Sequence, residues 1–151
     1  MTAIDGAAPV RGAGRIAIEA PRRVVFDLLA DVEGWPSWNP DVRSARLDGP
    51  LAVGTRFRWA AGPSSITSEL VEVAEGESLA WRGRSLGVRA IHVWRLRDTD
   101  GGCELATEES MDGLLARLFK GPLRRTLDAA ITNGLDAAKR EAERRVRVGR
   151  T

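Results

Sequence analysis

The chain has no tyrosine, one histidine and one cysteine among its 151 residues. A lone cysteine excludes an intramolecular disulfide, and with a single histidine beside it no zinc cluster can be assembled. Cysteine so sparse fits a reducing compartment, so the expected location is the cytoplasm. No apolar run approaches the roughly 18 to 20 residues of a membrane span, which excludes an integral membrane protein. Met1 to Gly14 is rich in alanine and glycine but lacks the basic and apolar stretches of a signal peptide. The phosphate and dinucleotide fingerprints GxxxxGK[ST] and GxGxxG are missing, as is the GxSxG nucleophile elbow. No metal and no cofactor are therefore expected. Charge is nearly balanced, with 23 basic and 21 acidic residues, so nothing draws the chain to nucleic acid. The late basic residues Lys139, Arg140, Arg144, Arg145, Arg147 and Arg150 interleave with Glu141 and Glu143, as on a solvated helix face.

What is present reads as one domain of ordinary globular composition, spanning residues 14–146, with a flexible tail over 1–13 and another over 147–151. Its oligomeric state is left between monomer and homodimer. Arg15 to Glu19 alternates as a short strand. Pro21 suits a first helical turn, and Val24, Val25, Leu28 and Leu29 follow at helical spacing. Asp31-Val32-Glu33-Gly34-Trp35-Pro36-Ser37-Trp38-Asn39-Pro40 cannot continue that helix, because proline lacks the N–H and restricts the residue before it. It predicts a bent helical elbow holding two tryptophans against something apolar.

Six strand-like segments come next: Val42 to Leu47, Thr55 to Trp59, Ser65 to Val73, Ser78 to Gly83, Arg89 to Arg97 and Glu104 to Met111. Tight turns join them, so the sheet should be antiparallel. From Asp112 the period becomes helical. Gly121-Pro122 is expected to break or kink the helix, and Leu127, Ile131, Leu135, Ala138 and Ala142 then share one face.

The Asp100-Gly101 turn sets the last hairpin's register. Leu96 should oppose Leu105, Trp94 should oppose Thr107, and His92 should oppose Glu109, all on one face. The only histidine thus meets a carboxylate on an otherwise greasy wall. Either it is a satisfied core pair, or it is a polar handle or acid–base pair in a ligand cavity. Thr55, Phe57 and Trp59 share an inner face, as do Ile66, Ser68 and Leu70 on the next strand, and Leu79 and Trp81 on the one after. Large rigid rings can fill a core or wall a cavity. Cys103 has no adjacent base or helix N-terminus, so it is not read as a nucleophile.

Several of these stretches resemble the polyketide cyclase/dehydrase-like branch of the START-like (SRPBCC) superfamily. They are Ile18-Glu19-Ala20-Pro21 with Val25-Phe26, the proline–tryptophan elbow, Leu79-Ala80-Trp81-Arg82-Gly83 and the His92, Trp94, Leu96 alternation. Glu109-Ser110-Met111-Asp112-Gly113-Leu114-Leu115, leading into the last helix, completes the set. The resemblance covers roughly residues 14 to 145. It implies an α+β helix-grip fold, with a seven-stranded antiparallel sheet curved around a long C-terminal helix and two short helices between strands 1 and 2. It also implies a pocket for an apolar ligand; members include aromatase/cyclases, lipid carriers and hormone receptors. It carries over a pocket and no catalytic residue.

The expected partner is a small hydrophobic molecule, lipid-, polyketide- or aromatic-like, bound between sheet and helix. Trp35 and Trp38 would stand at the elbow. Phe57, Trp59, Leu70, Trp81, Trp94, Leu118, Phe119, Ile131 and Leu135 would supply walls, and His92 with Glu109 a handle, with Ser68 and Thr107 nearby. Two alternatives stand beside this. One is a cyclase/dehydratase-type enzyme with His92 as base and Glu109 orienting it. The other is an interaction module with a filled core.

Overall fold

Short turns between successive strands leave no room for crossover helices, and the fold follows from that. β2 (Val42–Leu47), β3 (Arg56–Ala61), β4 (Ser64–Ala74), β5 (Ser78–Ser85), β6 (Val88–Thr99) and β7 (Gly102–Asp112) run as an antiparallel meander. β1 (Val10–Ile18) adds to the free edge of β7, giving the order β1-β7-β6-β5-β4-β3-β2. The computed structural model describes residues 1–149. Between β1 and β2 lie α1 (Arg22–Ala30), a 3-10 turn (Val32–Gly34) and the single helical turn α2 (Trp35–Trp38). After β7 come α3 (Leu114–Leu118) and the long α4 (Lys120–Val148), which lies against β1 and α1. This is the helix-grip arrangement.

β1 starts five residues before the alternating stretch that first suggests it. Val10, Gly12, Gly14, Ile16 and Ile18 pair with Met111, Glu109, Thr107, Leu105 and Cys103, and so share the concave face. The two glycines read as tail because they carry no side chain to alternate. They are small because α4 comes down on them: a Cβ at Gly12 would stand 2.8 Å from Ile131 Cδ1, and one at Gly14 2.9 Å from Leu135 Cδ1.

The expected flexible tail over 1–13 is corrected further by contacts nearer the N-terminus. The Thr2 backbone N–H donates to Glu72, the Arg95 guanidinium donates to the Thr2 carbonyl, and the Asp5 N–H donates to Ser110 Oγ at 3.1 Å. This segment lies on the convex face, where Ala80 and Val93 are buried. Burial alone would raise the Glu72 carboxyl. Hydrogen bonds from Ser78 and Thr2, with the charge of Arg95, outweigh it and hold the group at about 2.

The expected break at Gly121-Pro122 falls earlier, at Phe119, whose backbone leaves the helical region (φ −122°, ψ 44°). Pro122 sits inside the first turn of α4, where its missing N–H has no intrahelical partner to lose. α4 continues to Val148, past the expected boundary at 146. Of the expected 147–151 tail, residues 150 and 151 lie outside the described residues. Leu127, Ile131, Leu135, Ala138 and Ala142 form the buried stripe of α4, as their spacing predicts.

Candidate functional site

The elbow is anchored through one ring. Trp35 is 5% exposed, and its indole N–H donates to the Leu29 carbonyl at 2.9 Å, satisfying an acceptor that the end of α1 leaves open. Its ring lies 5.6 Å from Phe57 and 5.5 Å from Trp59, both edge-on, and 5.3 Å from Trp81. The aromatic run continues along the concave face. His92 lies 4.9 Å from Trp81 and stacks on Trp94 at 5.0 Å. Pro36, in the second position of the α2 turn, lets the chain bend while both tryptophans stay on the protein side.

Between this aromatic face, the elbow and α4 is a cavity of about 260 Å³. Trp35, Trp38, Trp59, Trp81, His92, Trp94, Glu109 and Ile131 line it. Other sequence candidates fall elsewhere. Phe57 and Leu70 are wholly buried behind the wall. Ser68 faces the same way, is buried, and accepts the Trp59 indole N–H at 3.1 Å. Leu135 lies one helical turn beyond Ile131 and covers Gly14. Thr107 is buried beneath His92. Leu118 and Phe119 do not wall the cavity: they are 65% and 51% exposed at the break between α3 and α4, while α3 turns its buried Ala116 toward β6 and β7.

The sequence candidates omit the apolar side of α4 nearest the cavity, Leu123, Leu127, Ala130 and Gly134. Their three- and four-residue spacing continues the buried stripe toward the start of the helix and is the signal that could have found them. Gly134 leaves room for the Trp94 ring, whose edge would touch a Cβ there at 3.7 Å. Asn39, Asp41, Ser64, Ser85 and Thr126 also line the cavity and had no periodicity to mark them.

The hairpin register places the polar pair. Leu96 faces Leu105, Trp94 faces Thr107 and His92 faces Glu109, as the Asp100-Gly101 turn dictates. His92 Nδ1 stands 2.8 Å from Glu109 Oε1, and both side chains are about nine-tenths buried. The other ring nitrogen, Nε2, lies 2.8 Å from Thr107 Oγ1. That hydroxyl donates its only proton to the Val93 carbonyl at 3.0 Å, so toward His92 it can only accept. Nε2 therefore carries a hydrogen. Nδ1 is the ring nitrogen that faces Glu109, at the cavity wall. The Nδ1 contact lacks hydrogen-bond alignment, and the buried indole N–H groups of Trp38 and Trp94 also have no acceptor.

Cys103 is fully buried, and burial, reinforced by the Asp98 charge, pushes its thiol up and keeps it protonated. Among the described residues no group of three or more His, Cys, Asp or Glu side chains is arranged to hold a metal ion.

No curated protein matches the sequence. Solved structures resemble it in fold. A hypothetical protein from Helicobacter pylori superposes with a TM-score of 0.81 at 18% identity, covering 94% of this chain and 97% of that one. A START superfamily protein from Mycobacterium smegmatis superposes at 0.77 and 11% identity, covering 89% and 97%. The Zhui aromatase/cyclase from Streptomyces sp. R1128 does so at 0.75 and 20% identity, covering 90% and 94%. The START-like fold is thus shared at identities too low to transfer a reaction. The sequence itself matches the family described as polyketide cyclase / dehydrase and lipid transport over residues 10–143, and the chain belongs to that family.

Proposed function

We propose that the protein binds a compact, mostly hydrophobic molecule bearing a polar oxygen, in the cavity between sheet and α4. The observation that carries this reading is an aromatic-walled space with one titratable pair, His92 and Glu109, built into its wall. At about 260 Å³ the space lies just under the roughly 300 to 1,000 Å³ of ordinary ligand sites. A ligand of a few fused rings suits it better than a long acyl chain. Trp38 and Trp94 carry unspent buried donors, each worth about 1 to 3 kcal/mol if a ligand oxygen supplies the missing acceptor. An interaction module with a filled core is disfavoured by the open space. The lone buried cysteine suits a reducing compartment, and we place the protein in the cytoplasm.

Native mass spectrometry of freshly purified protein should show a co-purifying small molecule. Titration with 1-naphthol, followed by tryptophan fluorescence, should saturate, and palmitate should not compete. Palmitate binding with no response to 1-naphthol would reverse the size argument.

One observation favours a second reading, a cyclase or dehydratase. Nε2 of His92 is held by Thr107 and Nδ1 is buried beside Glu109, so neither ring nitrogen is open to a substrate. The roles first assigned from sequence then exchange: Glu109 would move the proton at an enolisable carbon, and His92, fixed by Thr107, would position it. Glu109→Gln should then abolish turnover of a poly-β-ketone probe while 1-naphthol still binds. Absence of turnover in the wild type would leave the carrier reading alone, and turnover that survives Glu109→Gln would remove Glu109 from the proton transfer.

A further inference from the structure

The apolar residues that fail to wall the cavity collect at one end of the molecule. Leu86 projects from the β5–β6 turn with 89% of its surface exposed, and Leu114, Leu118 and Phe119 are 70%, 65% and 51% exposed. Turn tips favour Gly, Pro, Asn, Asp and Ser. Gly87 supplies the positive φ of +68° that this turn needs, so Leu86 has no part in shaping it. The two regions are joined: the Leu115 N–H donates to the Gly87 carbonyl at 3.1 Å, and an open groove is lined jointly by Arg84, Arg89, Leu114 and Arg117. Ser85 and Val88 line both this groove and the central cavity, so the apolar end adjoins the cavity.

Basic residues predominate around it. Arg84, Arg117, Lys120, Arg124 and Arg125 are exposed here, and Arg84 directly opposes Arg89 across the strands, a like-charge pairing that costs stability unless something anionic approaches. Of the acids near them, Asp112 is already shared between Arg89 at 3.9 Å and Arg117 at 3.1 Å, and Asp5 and Glu69 line the convex surface beside Arg84 and Arg89.

We propose that this end of the molecule docks peripherally on an anionic phospholipid surface. Leu86, Leu114, Leu118 and Phe119 would enter the headgroup boundary while the surrounding arginines and Lys120 meet lipid phosphates. A second copy of the chain fits poorly, because a two-fold contact would press this basic ring against itself. Among the described residues no helix is long and apolar enough to cross a membrane, so the contact is with the surface. The proposal goes beyond the ligand reading and stands without it, since vesicle binding needs no occupant in the cavity.

The test is co-sedimentation of the full chain with phosphatidylcholine vesicles, with and without about 30% phosphatidylserine, at low and high salt. Binding to the anionic vesicles is expected, weakening as salt rises. The Leu86→Ser/Phe119→Ser variant should lose at least about tenfold in partitioning, since each buried apolar side chain contributes about a factor of ten. Lys120→Glu/Arg124→Glu should lose a comparable amount. All four side chains are exposed, and unchanged thermal unfolding verifies that both variants fold. Absence of binding at low salt, or partitioning equal in wild type and both variants, would overturn the proposal. So would a solution dimer that Leu86→Ser dissociates, which would assign the patch to a second copy.

Discussion

Replacing Trp35 by alanine tests how the elbow is held. The ring is 5% exposed, it meets Phe57, Trp59 and Trp81 at 5.3 to 5.6 Å, and its N–H satisfies the Leu29 carbonyl at 2.9 Å. Truncating a buried tryptophan costs about 3 to 5 kcal/mol. One side of this ring borders the cavity, where water can enter the space it leaves, so the lower half of that range is expected. For a chain of this length each kcal/mol lowers Tm by about 2 to 4 °C, so the midpoint should fall by roughly 6 to 16 °C. Trp35→Phe separates the contributions: it keeps a ring and loses the N–H, and should cost about 1 to 2 kcal/mol. Trp38→Ala should cost less than Trp35→Ala, because Trp38 is only half-buried and its N–H has no acceptor to lose. Urea unfolding followed by circular dichroism gives all three values. A cost below about 1 kcal/mol for Trp35→Ala, or a larger cost at Trp38, would show that the elbow is held by its backbone and not by the Trp35 ring.

Gly14→Val should destabilise by about 1 to 3 kcal/mol through overpacking, since its Cβ alone would lie 2.9 Å from Leu135 and 3.0 Å from Ile131; a Leu135→Ala background should recover part of the loss in the same unfolding assay. The Glu72 carboxyl is lowered from 4.5 to about 2, so its stabilising contribution is complete above pH 4.5 and is lost as pH falls toward 2. Thermal unfolding should therefore weaken across that window, and Glu72→Gln should be less stable than wild type at neutral pH, with the gap closing by about pH 2.

The meander, the helical stripe of α4 and the hairpin register were legible because each rests on a local rule. Asp100-Gly101 is a turn whatever surrounds it, and one correct turn sets the facing of Leu96, Trp94 and His92 at once. The start of β1 was not legible for the opposite reason. Gly12 and Gly14 are strand residues because they pair with Glu109 and Thr107, and they are glycines because Ile131 and Leu135, more than a hundred positions later, need the space above them. Propensity alone assigns glycine to loops, and tertiary contact decides otherwise. The Gly121-Pro122 pair misled in a similar way. Proline ends a helix that arrives at it and is tolerated in one that starts there, and the pattern before it does not say which.

The site divides along the same line. His92 and Glu109 came together because strand alternation is a two-residue rule, but which atom of the pair faces a ligand depends on Thr107, whose hydroxyl is committed to Val93 and so fixes the ring from below. Leu118 and Phe119 were assigned to the wall because an apolar cluster ahead of an amphipathic helix ordinarily joins the core. The break at Phe119 turns them outward instead. The surface keeps Leu114, Leu118 and Phe119, beside a leucine at a turn tip and a cluster of arginines two of which share Asp112. Folding does not require that arrangement, since those side chains stay largely exposed, and it is the arrangement that the proposed docking on an anionic lipid surface would use.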